Sequence, residues 1–354
     1  MPSEPSSPKV SIVVPNYNHE KYLTERLDSI VNQSFQDWEL LLLDDASTDH
    51  SRELLHAFAA REPRATCRFN TKNSGSPFAQ WNQGATWARG EFLWIAESDD
   101  AANPELLQTL VDLLEQNPTV SLAYAHSMLI DESGKDMHPF DLHYDTLFGT
   151  DTWKKPFVSN GKEEIRNHFL LANIVPNASG ALIRTSAYRA TNGADPKRAL
   201  NGDWLFYIHL LEKGDLAFTP LVLNRFRVHP NTQRQKANTT GDVYHELLEI
   251  IDYIVQKHHP HPALARKAYR NVAGWWTHSL YRQQWGPGHF VRNAKTNAAL
   301  LPIFFVHHPF VLLHIPYEGV VRLLVLFLQW AGIKELLRQG LHRLFPRYFL
   351  PHAT

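Results

Sequence analysis

Five short apolar runs mark the first half of the chain, and each ends on polar residues. Val10-Ser11-Ile12-Val13-Val14 is closed by Pro15, which removes a backbone donor and so ends a central strand. Glu39 to Leu43 runs into Asp44-Asp45-Ala46-Ser47-Thr48-Asp49, Thr66 to Phe69 is a shorter third run, and Val120 to Ala125 is the last. The fourth run, in Glu91-Phe92-Leu93-Trp94-Ile95-Ala96-Glu97-Ser98-Asp99-Asp100, stops at three acids within four residues. Between the runs, apolar residues recur at helical spacing: Leu23, Leu27, Ile30 and Val31, then Leu54, Leu55 and Phe58, then Phe78, Trp81, Ala85 and Ala88. Gly90 is well placed to stop the third helix. A fourth helix is expected from Pro104 to about Glu115, with Asn103 as its cap. Strands alternating with helices of this length predict an α/β fold, a doubly wound and mostly parallel sheet.

From Asp131 to about Asn173 the pattern weakens, which predicts long connections and short elements. Gly180 to Arg184 reads as a further strand. Asn201-Gly202-Asp203 precedes the apolar run Trp204 to Leu211, which places Asp203 in or just before a first helical turn. Leu216 to Thr219 and Leu221 to Val228 read as two more extended segments. The polar stretch Asn231 to Gly241 is the expected boundary, giving a lead-in at 1–8, an α/β domain at 9–235 and a helical region at 236–354. Helices are expected at Asp242 to Lys257, at Ala263 to about Arg282 and around Phe290 to Leu300. The tail from Ala298 to Ile333 is apolar but broken by Pro302, Pro309, Pro316, Glu318 and Arg322, so it is not read as a spanning helix. Leu323 to Ile333, followed by Lys334, Arg338, Arg343 and Arg347, fits a membrane-interface segment. It fits equally a packing face against the first domain or a second subunit.

Composition narrows the function classes. The 354 residues carry a net charge of -1, which argues against a nucleic-acid partner held by phosphate contacts. A single cysteine, Cys67, excludes an internal disulfide framework and fits a reducing compartment. Met1 to Pro8 has no apolar core of a secretory signal and reads as a disordered lead-in. His258, His259 and His261, interleaved with Pro260 and Pro262, read as an interhelical turn rather than a metal site.

The chemistry gathers where strands end, since ligands of open α/β sheets sit beyond the carboxyl ends of the strands. Pro15-Asn16-Tyr17, Asp44-Asp45 and Glu97-Ser98-Asp99-Asp100 all point to one edge. Tyr17 can stack on a base, Asp45 can accept from an imide N–H, and Asp99 or Asp100 can reach a diphosphate through a hard divalent ion. Together they describe a nucleotide pocket.

These stretches resemble glycosyltransferase family 2, whose catalytic domain has the GT-A fold. The resemblance is carried by VSIVVPNYN at Val10 to Asn18, SIVNQSFQDWELLLLDDASTD at Ser29 to Asp49, NSGSPFAQWNQGATWARGEFLWIAESDD at Asn73 to Asp100 and NGDWLFYIHLLEKGDLAF at Asn201 to Phe218. It implies that Pro15 and Tyr17 line the base pocket, that Asp45 reads the base, and that Asp99 and Asp100 serve a manganese or magnesium ion and the ribose–diphosphate. Glu97 stands where many members have Asp and keeps a carboxylate on a longer arm. Asp203 matches the general base of an inverting transfer. Arg227 and His229 match a late R-x-H pattern and would touch the diphosphate or shape the acceptor side. The Q-x-x-R-W motif of processive members is absent, so the resemblance implies transfer of one sugar, with a UDP-sugar as the favoured donor. It further suggests a saccharide or lipid-linked acceptor in cell-envelope polysaccharide or glycolipid synthesis, at the inner face of the cytoplasmic membrane, with a homo-oligomer open. The competing readings are a nucleotide-binding scaffold without turnover, a receiver-like phosphoacceptor suggested by Asp44-Asp45, and a dinucleotide oxidoreductase. The last is disfavoured because no G-x-G-x-x-G follows the first strand.

Overall fold

The computed structural model describes residues 7–140, 147–198, 200–228, 242–279, 300, 302–303 and 306. The strands are β1 (Val10–Asn16), β2 (Trp38–Asp44), β3 (Ala65–Phe69), β4 (Phe92–Ile95), β5 (Ala101–Ala102), β6 (Val120–Ile130), β7 (Asp136–Pro139), β8 (Phe157–Ser159), β9 (Ala181–Arg184) and β10 (Asp215–Arg227). They form one sheet of order β3-β2-β1-β4-β9-β6-β10-β5, with β7 on β6 and β8 on β10. Pairing is parallel from β3 through β4 and between β6 and β10, while β9 runs antiparallel to both its neighbours.

Alternation along β1 explains the layers. Val10, Ile12 and Val14 share one apolar cluster with Leu23, Leu27 and Ile30 of helix α1 (Glu20–Val31), Leu55 and Phe58 of α2 (Ser51–Ala59), and Leu106, Leu110 and Leu114 of α4 (Leu106–Gln116). Val13 points the other way, onto α3 (Pro77–Trp87), where a Cβ added to Gly84 would lie 2.4 Å from Val13 Cγ1. Side chains of successive strand residues face opposite sides, so one strand feeds both helical layers. Gly90 acts differently from the expected helix stop. α3 already ends at Trp87, and Gly90 instead lets the chain pass β1, since a Cβ there would sit 2.5 Å from Ser11 N.

The stretch 131–173 holds β7, β8, a 3-10 turn at Thr152–Lys154 and a short helix, α5 (Gly161–Glu164), that continues as a π-helical turn over Ile165–Phe169. The two extended segments expected after Leu216 are one strand, β10, whose register to β6 shifts between Thr219 and Asn224, at Pro220. Proline cannot donate to the ladder, and a bulge accommodates it without ending the strand. Helix α6 (Thr185–Arg189) follows β9, and α7 (Gly202–Leu211) packs against β6.

The chain divides into two compact units. The first comprises the sheet and its helices, up to residue 237, together with Glu246–Ala268; the second comprises 238–245 and the residues from Tyr269 onward. The helices α8 (Asp242–His258) and α9 (Pro262–Ser279) therefore contribute to both units. In the first unit Glu212 gathers α8: Tyr253 Oη donates to its Oε1 at 2.7 Å, Lys257 Nζ to its Oε2 at 2.7 Å, and His258 Nε2 lies 2.8 Å from Oε1. In the second, Tyr244 Oη donates to Trp275 O at 3.2 Å. Among the described residues no helix is long and apolar enough to cross a membrane. Apart from residues 300, 302–303 and 306, the apolar tail, its basic cluster and the helix expected around Phe290 lie outside the described residues.

Candidate active site

The parallel register brings the ends of β1 and β2 level, with Asn16 opposite Asp44. β4 leaves the sheet earlier, since Ile95 is opposite Val13, and Ala96 N still donates to Val13 O at 2.8 Å. The acid turn Glu97–Asp100 thus folds beside a β1 end that runs on past it, and a crevice opens between them. A cavity of about 630 Å³ occupies this edge, a size that suits a nucleotide-sized ligand. It is lined by Pro15, Tyr17, Asp45, Glu97 and Asp99 among the expected residues, and by His19, Lys21, Gln80, Ser98 and Glu132 among others.

Each wall has a cause in the sequence. Asn16 Nδ2 donates to Asp44 Oδ2 at 2.9 Å, and Asp44 Oδ1 accepts from Ser47 N at 2.9 Å and Arg52 Nε at 3.0 Å, so Asp44 ties the ends of β1 and β2 to the next turn. Tyr17 lines the cavity and is 45 % exposed, and an aromatic ring of this kind can stack on a planar partner. Asp45 is buried and accepts from Asn70 Nδ2 at 2.7 Å, Ser74 N at 3.0 Å, Ser74 Oγ at 2.7 Å and Gln80 Nε2 at 3.0 Å. A carboxylate offers about four lone-pair sites. Those of Asp45 are taken by protein donors, so its first task is to wrap the 70–80 segment around the cavity.

The acid turn separates its three carboxylates. Glu97, partly exposed toward the cavity, accepts from Trp81 Nε1 at 2.7 Å. Burial, and then the Asp99 charge, push the Glu97 carboxyl up to about 8. Asp99 lines the cavity. Asp100 is 2 % exposed, and its oxygens accept from Asn177 Nδ2 at 2.7 Å and Arg227 N at 2.9 Å; burial and the neighbouring Asp99 raise its pKa as well. Its carboxylate is committed to the interior, away from the cavity where the sequence placed it.

Arg227 is likewise committed. It is 1 % exposed, donates from Nε to Asp99 O at 2.6 Å and from Nη1 to Asp131 O at 3.1 Å, pairs through Nη2 with Glu25, and packs over the Tyr22 ring at 4.9 Å. It secures the acid turn to the β6–β7 hairpin and does not line the cavity. His229 lies outside the described residues.

Comparison with known proteins adds the decisive observation: the family model described as "Glycosyl transferase family 2" matches residues 11–184. Residues 11–184 form a glycosyltransferase family 2 domain. Glycosyltransferase GlyG of Streptococcus pneumoniae serotype 4 is 36% identical over 107 residues, 30% of this chain and 35% of GlyG, so the matched part is about a third of that relative. Among solved structures, S. aureus TarS 1-349 in complex with UDP-GlcNAc superposes with a TM-score of 0.58 at 17% identity, covering 88% of this chain and 82% of that 1-349 chain. The mannosyltransferase PcManGT from Pyrobaculum calidifontis, in complex with GDP-Man and Mn2+, gives a TM-score of 0.52 at 16% identity over 89% of this chain and 87% of its own. At such identities the likeness shows the fold, the GT-A type.

The family match ends at β9, upstream of Asp203. Asp203 occupies the first turn of α7, partly exposed, where Asn173 Nδ2 donates to its Oδ2 at 3.2 Å. A helix start suits a carboxylate. Asp203 is not in the lining of the cavity, but α7 bears on the wall helix α3. Phe206 meets Trp81 at 6.3 Å between ring centroids, and a Cβ on Gly202 would lie 2.4 Å from Phe78 Cε2. Tyr207, buried one turn after Asp203, feels both acidic groups: burial first, then Asp203 and Glu97, push its phenol well above its ordinary value. Asp203 and the acid turn of this family 2 domain therefore share one neighbourhood.

Sequence reasoning missed Trp81, Gln80, Ser179, Asn177 and Arg26. Trp81 and Gln80 read as a helix face with no chemistry attached, although Gln80 beside Trp81 on an otherwise apolar stripe was a usable signal. A polar residue at a buried helical position needs a partner.

Proposed function

We propose that the chain is an inverting, non-processive glycosyltransferase that moves one sugar from a nucleotide-diphosphate sugar, with a UDP-sugar as the favoured donor, to an acceptor hydroxyl. The observation that carries the reading is the cavity at the β1–β4 crevice, with Tyr17 on its rim and Asp99 on its wall inside a family 2 domain. The nucleotide-sugar complexes of TarS and PcManGT support a donor of this class.

Tyr17 and Pro15 cover the base, and Asp45, through Ser74 and Gln80, holds the loop that closes over it. Among the described residues no three His, Cys, Asp or Glu side chains converge on a metal cage. A divalent ion needs only one or two carboxylates together with substrate phosphates, and on this reading Asp99, which lines the cavity, supplies one. Such an ion offsets the negative charge that grows on the leaving diphosphate. Asp100 backs Asp99 from the interior, and Lys21 and His19 are the basic groups of the lining. Transfer requires the acceptor oxygen to bond the anomeric carbon as the bond to the diphosphate breaks. Asp203 takes the proton that the acceptor oxygen loses, acting as the general base in the transition state. An envelope saccharide or lipid-linked acceptor, reached from the inner membrane face, is the setting that best suits the apolar and basic tail. The alternative, a nucleotide-binding scaffold without turnover, is disfavoured by acids at both Asp99 and Asp203.

Asp203→Asn tests the reading. Proton removal by a positioned base contributes roughly 10²–10⁴-fold, so hydrolysis-corrected transfer from a UDP-sugar should fall by at least that lower bound while UDP affinity stays within twofold. Unchanged turnover refutes the base assignment.

A further inference from the structure

A cation that the transfer reaction does not use lies beneath the acid turn. Arg26 belongs to the buried face of α1, in step with Leu23 and Ile30, and is fully buried. A guanidinium stays charged at neutral pH, and a buried charge is costly unless its surroundings compensate it. The compensation comes from the acid turn. Nε donates to Glu97 O at 2.8 Å and Nη2 to Ser179 Oγ at 3.1 Å. Ser179 Oγ in turn accepts from Glu97 N at 3.0 Å, so one serine and one arginine hold the backbone N–H and C=O of Glu97. The guanidinium packs over Trp94 at 5.5 Å, and Trp94 Nε1 donates to Ser179 O at 2.8 Å, which fixes the serine. Nη1 has no hydrogen-bond partner among the described residues. Burial pulls the Arg26 pKa down, while the charges of Asp100, Asp99, Glu97 and Glu25 work against that pull.

An apolar residue would serve a purely structural face of α1 at lower cost, because replacing buried ionic groups by packed apolar ones is often neutral or stabilising. The charge is explained by what sits above it. Resting on the reading in the preceding subsection, we propose that Arg26 is a positioning residue for diphosphate binding. It is an internal cation that anchors the backbone of the Glu97–Asp100 turn from behind, so that Asp99 meets the cation-bound diphosphate in a fixed place.

The test uses the full chain as wild type, Arg26→Lys and Arg26→Met, with thermal melting and calorimetric titration of UDP in the presence of manganese. Wild-type binding establishes the nucleotide reading on its own; a wild type that binds no nucleoside diphosphate overturns that reading and this inference together. Given wild-type binding, Arg26→Met should lose at least tenfold in UDP affinity. Arg26→Lys, which keeps a charged donor for Glu97 O, should recover most of that loss even though its melting temperature is no higher than that of the Met variant. Affinities within twofold of wild type in both variants overturn the inference, as does a Lys variant no better than Met. Tighter binding by Arg26→Met would show a charge that merely opposes the metal, and overturns it too. If an Arg26 variant does not fold, Ser179→Ala removes the second anchor of Glu97 with the cation in place. It should weaken UDP at least threefold, and wild-type affinity there is the contrary result.

Discussion

Asp45→Ala separates what this carboxylate does for the fold from what it does for a ligand. The substitution strips an acceptor from Asn70 Nδ2, Ser74 N and Gln80 Nε2, while Ser74 Oγ keeps Ser76 O at 3.2 Å. A buried donor left unmet costs about 1–3 kcal/mol. Gln80 is 3 % exposed and takes the full penalty; Asn70 is partly exposed and Ser74 exposed, so water relieves them. The sum is about 3 kcal/mol of lost stability, concentrated in the 70–80 segment. Urea unfolding followed by tryptophan fluorescence reads it as a lower midpoint, and hydrogen exchange should show faster opening of Ser74 to Gln80. Nucleotide affinity should fall with the loop. A stability change below about 0.5 kcal/mol, the level of an ordinary surface substitution, would refute the view that Asp45 organises this wall.

Two further predictions test neighbouring joints. Gly202→Ala places a Cβ 2.4 Å from Phe78 Cε2 at the start of α7; overpacking of this kind costs about 1–3 kcal/mol, and because it shifts Asp203, kcat should fall more than donor KM rises, with equal effects or none counting against the α3–α7 contact as the support of Asp203. Glu212 supplies a pH test: burial pushes its carboxyl up, but hydrogen bonds from Lys257, Tyr253 and His258 outweigh burial and hold it below the usual 4.5. A depressed pKa in the folded state stabilises above the unfolded value and is lost as pH falls through the folded one, so melting temperature should drop more steeply below about pH 4.5 in wild type than in Glu212→Gln, and parallel curves would contradict the pairing.

The fold was legible because its signals are local. Val10–Val14, Glu39–Leu43 and Phe92–Ile95 are buried on both faces and so read as unbroken apolar runs. The strand ends that build the cavity followed from them, and Tyr17, Asp45 and Asp99 do line it. What escaped the sequence depends on partners far along the chain. Asp99 and Asp100 are adjacent and alike on paper. Only the approach of Asn177 and Arg227, 77 and 127 residues away, turns one inward and leaves the other at the cavity. Arg227 looked available to a diphosphate until β10 carried it beneath Asp99. The two segments around Pro220 looked separate because proline ends strands more often than it bulges them. Arg26 was hidden for the opposite reason: a single arginine on an amphipathic helix reads as its solvent face.

The central claim is that the β1–β4 crevice binds a nucleoside diphosphate through a metal held at Asp99. Calorimetric titration of the intact chain with UDP, GDP and dTDP, each with manganese and then with chelator, tests it most directly. The account predicts that UDP binds with manganese, loses at least tenfold in affinity with chelator, and loses as much in Asp99→Ala. Nucleotide binding that is indifferent to both manganese and Asp99 would contradict it.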